Sequence, residues 1–100
     1  MIRHMVLFRF RADATSQDRE AVLAGLSKLP SLFPAMQRFG LGENVSQRDQ
    51  TFSHVMTMEF ADRKQLESYL GSPVHDDFVA GHFRPNIKQR AIASYESAST

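Results

Sequence analysis

The chain has no cysteine and no tryptophan, and only four prolines and five glycines in 100 residues. Without cysteine there is no disulfide framework, no thiolate metal site and no cysteine nucleophile, so a small core has to be held by packing alone. An excess of one charge is missing too: twelve Lys and Arg against eleven Asp and Glu leave +1, with no basic run longer than Arg63-Lys64. No nucleic-acid partner gripped through its phosphates is expected. Long apolar runs are also absent. Met5 to Phe8 is bracketed by Arg3, His4 and Arg9, too short and polar for a signal-peptide core or a membrane span. The expectation is a soluble, cytoplasmic protein with no membrane partner. No Gly-x-Gly-x-x-Gly, P-loop or Gly-x-Ser-x-Gly occurs, so nucleotide binding and serine hydrolysis have no motif behind them.

What is present, 42% apolar and 23% charged residues, is the balance of one globular domain, read here as residues 1–97 with a short polar tail at 98–100 that should fray. A chain of this size buries only about two thirds of its unfolded surface, so a partner subunit would help it considerably.

Periodicity supplies the elements. Ile2, His4, Val6, Phe8 and Phe10 alternate with Arg3, Met5, Leu7, Arg9 and Arg11, a strand with apolar residues on both faces. Thr15 with Asp18 resembles a capping box, and Val22, Leu23, Leu26 and Leu29 recur at helical spacing until Pro30 and Pro34. Ala35 to Val45 reads as a weaker strand interrupted by Gly40 and Gly42. Ser46 to Gln50 reads as a loop, and Phe52 to Phe60 as a strictly alternating strand. Asp62 caps a helix carrying Leu66, Tyr69 and Leu70, which Gly71, Ser72 and Pro73 break. A second piece then places His75, Phe78, Val79, His82 and Phe83 on one apolar face. Ile87 to Glu96 closes the order β-α-β-β-α-β. Right-handed crossovers turn that order into an α+β, ferredoxin-like protomer: a four-stranded antiparallel sheet, first and third strands central, helices on one face. Met5, Leu7 and Val55 then remain as an apolar stripe on the uncovered face, which a second copy would bury.

Chemistry concentrates in the same layer. His4 and His54 lie in the inward register of two strands expected to be neighbours, and His75 on the helical face above them, with Tyr69 six residues earlier across the Gly71 to Pro73 break. An imidazole beside a phenol in a partly dry pocket suits general acid and base catalysis, because histidine titrates near neutral pH. Each residue alone has a plainer explanation: an inward histidine is commonly a hydrogen-bonded core residue, Tyr69 a core aromatic, His82 packing or surface. It is the joint placement that points to a site. The pocket volume depends on how Phe8, Leu26, Phe33, Met56, Phe78 and Phe83 pack. A zinc ion on His4, His54 and His75 lacks any tight ligand spacing, so no metal and no cofactor is expected. Asp76 and Asp77 diverge on a helix and read as a solvated face, Asp76 being the better placed to support His75.

The segments I-R-H-M-V-L-F-R-F, F-S-H-V-M-T-M-E-F, Y-L-G-S-P-V-H-D-D-F and R-A-I-A-S-Y-E, in this order over nearly the whole chain, resemble the stress-responsive dimeric α/β barrel (Dabb) family. The resemblance implies a homodimer in which two open sheet faces close an eight-stranded barrel. Among the family are cofactor-free polyketide cyclases that form a ring by aldol condensation. Their catalytic histidine falls on His75, the paired tyrosine on Tyr69, and two strand histidines on His4 and His54. The chain departs from the cyclase pattern at Ser72, where the motif has histidine, and at Ser94, where an aspartate is common. The resemblance therefore implies His75 as base, Tyr69 as its partner or the acid, and His4 and His54 orienting a small apolar, carbonyl-bearing ligand. The alternatives are a non-catalytic structural or ligand-binding dimer, and a cofactor-free monooxygenase or haem-binding relative.

Overall fold

The computed structural model describes residues 1–97, and the expected tail at 98–100 lies outside the described residues. Strand β1 (Ile2–Phe10) is hydrogen-bonded on both sides. Antiparallel β3 (His54–Phe60) sets Ile2 opposite Phe60 and Phe8 opposite His54. On the other edge antiparallel β4 (Ile87–Glu96) sets His4 opposite Ser94 and Val6 opposite Ile92. Strand β2 (Gln37–Glu43) pairs with the outer edge of β3, giving the order β2-β3-β1-β4. This is the ferredoxin-like sheet expected from the element order. One extra residue enters β2 between Gln37 and Gly40, and Arg38 within this bulge takes a φ of 49°, in the left-handed region.

The alternation in β1 is reproduced as burial: Ile2, His4, Val6, Phe8 and Phe10 are all buried, while the intervening residues are not. The helices that cover this face start where the caps say they should. In α1 (Ser16–Ser27) the Thr15 hydroxyl accepts from the Asp18 amide while the Asp18 carboxylate accepts from the Thr15 amide, satisfying two orphan donors at once. Pro30 belongs to a second short helix, α2 (Leu29–Leu32), where it sits in the first turn instead of ending the preceding helix. Asp62 accepts from the Gln65 amide to cap α3 (Arg63–Leu70), and Ser72 accepts from the His75 amide to cap α4 (Pro73–Phe78). A π-helical turn, Val79–Phe83, and a 3₁₀ turn, Arg84–Asn86, lead into β4.

The core lies between helices and sheet, with Phe8, Val22, Met58 and Phe60 sealed at its centre. Burial stops at β1: from Lys88 onward every residue of β4 is exposed, and Ile92, in register with buried Val6, is half exposed. The open face of the sheet carries Met5 and Leu7, half-buried, and a charged cluster in which Glu59 lies 2.9 Å from Arg3 and 3.4 Å from Arg38. Tyr95 accepts a further hydrogen bond from Arg3 at 3.2 Å.

Three details differ from the periodicity. Strands β2 and β3 begin at Gln37 and His54, two residues later than read. The Asn44 side-chain amide, bonding the Asp49 and Phe52 carbonyls at 2.9 Å, ties 44–52 into a closed loop. His82 does not share the buried face of Phe83; it is exposed. The π turn holds an extra residue, so the 3.6-residue spacing counted from His75 no longer applies beyond Phe78.

Gly25 on α1 is set by a close approach, since a β-carbon there would run into the ring of Phe78. Replacing an interior helical glycine by alanine ordinarily stabilises by about 0.5–1 kcal/mol. Here Gly25→Ala is expected to destabilise by about 1–3 kcal/mol through overpacking, read from urea unfolding. A net gain would mean that the Phe78 ring gives way freely.

Candidate functional site

Where the helices stop short of β4, a cavity of about 220 Å³ is left between the sheet and the α4 region. His4, Tyr69 and His75 border it, with Leu26, Met56, Phe78 and Phe83 among its apolar walls. Tyr69, from the last turn of α3, is wedged between three rings: Phe60 stacked at 5.5 Å, Phe33 edge-on at 4.9 Å and His75 edge-on at 4.7 Å. The ring of His4 lies 6.4 Å from that of Tyr69. The Gly71–Ser72 break between α3 and α4 brings tyrosine and histidine together, and the Ser72 cap holds the turn. Ser72 thus has a structural task here, as the cap that starts α4.

Electrostatics separate the three polar groups. Burial pushes the Tyr69 hydroxyl up to about 12, so it remains a phenol, a hydrogen-bond donor, at neutral pH. Burial, and secondarily the charge that His75 can carry, hold His4 below its ordinary value. Its Nδ1 is 2.7 Å from the Ser94 hydroxyl, the cross-strand partner its register dictates. The Nδ1 of His75 is buried with no hydrogen-bond partner, and the nearest carboxylate oxygen, on Asp76, is 3.6 Å away. This ring nitrogen is a buried polar atom left without a partner beside the Tyr69 ring, while the His75 residue as a whole borders the cavity.

Three residues of the expected set do not reach the cavity. His54 lies at the opposite end of the same face, stacked on Phe8 at 5.3 Å and 2.8 Å from the Ser53 hydroxyl. The cause is the antiparallel register: His4 pairs with Met58 and His54 with Phe8, four residues along the strand and about 13 Å away. Burial, outweighing a smaller opposite effect of Glu43, keeps the His54 ring below its ordinary value. Phe8 is sealed off, its ring against that of Phe83 at 5.3 Å, and Phe33 supports Tyr69 without lining the void. Sequence reasoning missed Arg84, Arg90 and Ile92, which do line it. Arg90, Ile92 and Ser94 alternate along β4, a signal that becomes readable once β4 is known to pair with β1. Among the described residues no group of three or more His, Cys, Asp or Glu is placed to hold a metal ion, and no helix is long and apolar enough to cross a membrane.

Fold and site together define a ferredoxin-like α+β protein with an imidazole and phenol pair at a cavity beneath its helices. The chain belongs to the Dabb family, whose model, the stress responsive A/B barrel domain, matches residues 2–97. It is 22% identical over 79 residues to olivetolic acid cyclase of Cannabis sativa, covering 77% of this chain and 78% of that one. The hydroxynitrile lyase of Passiflora edulis superposes with a TM-score of 0.86 at 20% identity, over 99% of this chain and 94% of that one. A dimeric ferredoxin-like protein from Thermobifida fusca superposes at 0.79 with 23% identity, over 94% and 88%.

Because His4 and His54 are held below their ordinary values, the unfolded chain binds protons more readily than the folded one as pH falls. Stability conferred by the neutral rings is present above the unfolded value of about 6.5 and is lost as pH drops through the folded values. Urea unfolding between pH 7.5 and 5 should therefore lose stability towards acid, and His4→Asn should flatten that dependence. An unchanged slope in the variant would show that His4 is not a source of it.

Proposed function

We propose that the protein is a homodimeric, cofactor-free acid–base enzyme, or a binder built on the same pocket, for a small carbonyl-bearing ligand. The observation that carries this reading is the 4.7 Å edge-on pair of His75 and Tyr69 at the wall of an apolar cavity. In it, His75 removes a proton from the carbon beside the ligand carbonyl, and the Tyr69 phenol, kept protonated by its burial, donates a hydrogen bond to the oxygen on which charge develops. His4, anchored on Ser94, orients the ligand from the sheet. His54, remote from the cavity, takes a packing role against Phe8. The likeness to a cyclase and a lyase supports an aldol-type or related carbon–carbon step as the first chemistry to assay.

The open sheet face supports dimerisation: half-buried Met5 and Leu7 flank the Arg3, Glu59 and Arg38 cluster on a surface without helices, and the Thermobifida neighbour is dimeric. A protomer of this size gains stability from that burial.

Two outcomes test these readings. In a screen of linear polyketide-like thioesters, His75→Ala is expected to lower turnover by about 10²–10⁴-fold while leaving the oligomeric state intact; unchanged turnover would remove His75 from the mechanism. Light scattering is expected to give twice the chain mass, and Leu7→Lys, which puts a charge on the open face, to shift the protein towards monomer. A dimer indifferent to Leu7→Lys would place the interface elsewhere.

A further inference from the structure

The polar groups of the cavity fall at two ends. His4, opposite Ser94, marks one end; Arg90, opposite Phe8, stands four residues away along β4, about 13 Å by strand geometry, on the same face of the sheet. Arg84, from the 3₁₀ turn, lines the cavity with it, and between the two ends Ile92 and Val6 supply apolar wall. Four other arginines are engaged, Arg3 and Arg38 with Glu59, Arg11 with Asp13, and Arg19 with the carbonyls of Arg11 and Ala14, while Arg9, Arg48 and Arg63, which carry no such partner among the described residues, do not line the cavity. Among the described residues neither Arg84 nor Arg90 has a carboxylate within 4.0 Å. Beyond them a hollow of about 140 Å³ shares the Val79, Phe83, Arg84 and Arg90 walls and adds Lys88. The acidic group of the cavity, Asp76, sits beside His75 at the other end.

From this polarity we infer that the cavity selects an amphiphilic carboxylate. The acid group of the ligand lies against Arg84 and Arg90, its apolar body runs past Ile92 and Val6, and its opposite end is presented to Tyr69 and His75. The inference rests on the cavity being a ligand site and adds the ligand class and its direction. Two unengaged guanidinium forks match the planar, two-oxygen geometry of a carboxylate. Asp76 opposes the reversed orientation by like-charge repulsion. The apolar walls require the middle of the ligand to be uncharged.

Titration calorimetry and ¹H–¹⁵N spectra of the full chain with 4-phenylbutanoate and its neutral amide test it. The acid is expected to bind about tenfold more tightly than the amide, since hydrogen bonds to charged groups are worth more than neutral ones. The double variant Arg84→Gln/Arg90→Gln, exposed positions whose exchange leaves the fold in place, should abolish that preference while keeping amide binding. Raised salt should weaken the acid alone. If both probes shift the Tyr69 and His75 resonances with equal affinity, or the double variant keeps the preference for acid, the carboxylate site is overturned and the cavity stands. If neither probe binds, the cavity reading falls with it.

Discussion

Everything in the molecule depends on the central strand having both edges satisfied while only one side of the sheet is roofed. β1 exchanges hydrogen bonds with β3 and β4 along its length, so its five inward residues are fixed in place before any helix is considered. The helices roof β1 and β3 but do not extend over β4, whose inward residues stay exposed. The cavity is the consequence of that mismatch in width. Apolar packing closes it on one flank, and the polar residues of β4 leave it accessible on the other.

The same constraint explains how the site obtains its polarity. A pair of strands in register is a ruler, and residues on one face recur at fixed intervals along it. His4 with Ser94, Val6 with Ile92 and Phe8 with Arg90 are three successive marks, passing from a hydrogen-bonded imidazole through aliphatic wall to a cation. Tyr69 and His75 are brought to the first mark from above by the capped break between α3 and α4. The aromatic cage around Tyr69 does two things with one set of contacts: it fixes the ring and it dries the hydroxyl, which keeps the proton on.

Alternation and caps made most of this architecture legible from residues alone. The inward set of β1, the Thr15 and Asp62 caps and the split second helical region all follow from local chemistry that tertiary structure does not override. Placing His75 beside Tyr69 is equally local, six residues across a break. Placing His54 was not local. Two histidines in the same register of neighbouring strands share a face, but in an antiparallel pair they share an end only if the offset allows it, and the offset is a property of pairing rather than of either strand. His82 was misplaced for a related reason: a helical period assumes an unbroken α-helix, and the wider turn after Phe78 changes the count. The arginines escaped because nothing about Arg84 or Arg90 in isolation distinguishes them from the scattered surface cations around them.

That wider turn has one more implication. A π-helical turn is an α-helix with one residue inserted, and the surplus is absorbed within five residues here, Val79 to Phe83. On one side of it stand the capped α4 and His75; on the other stand Phe83, Arg84 and the approach to β4. The turn therefore sets the phase between two parts of the pocket wall: its extra residue fixes how Phe83 and Arg84 are rotated relative to His75, while Arg90 is placed by the pairing of β4 with β1. The two ends of the cavity wall are in this way positioned by separate stretches of chain, joined through five residues.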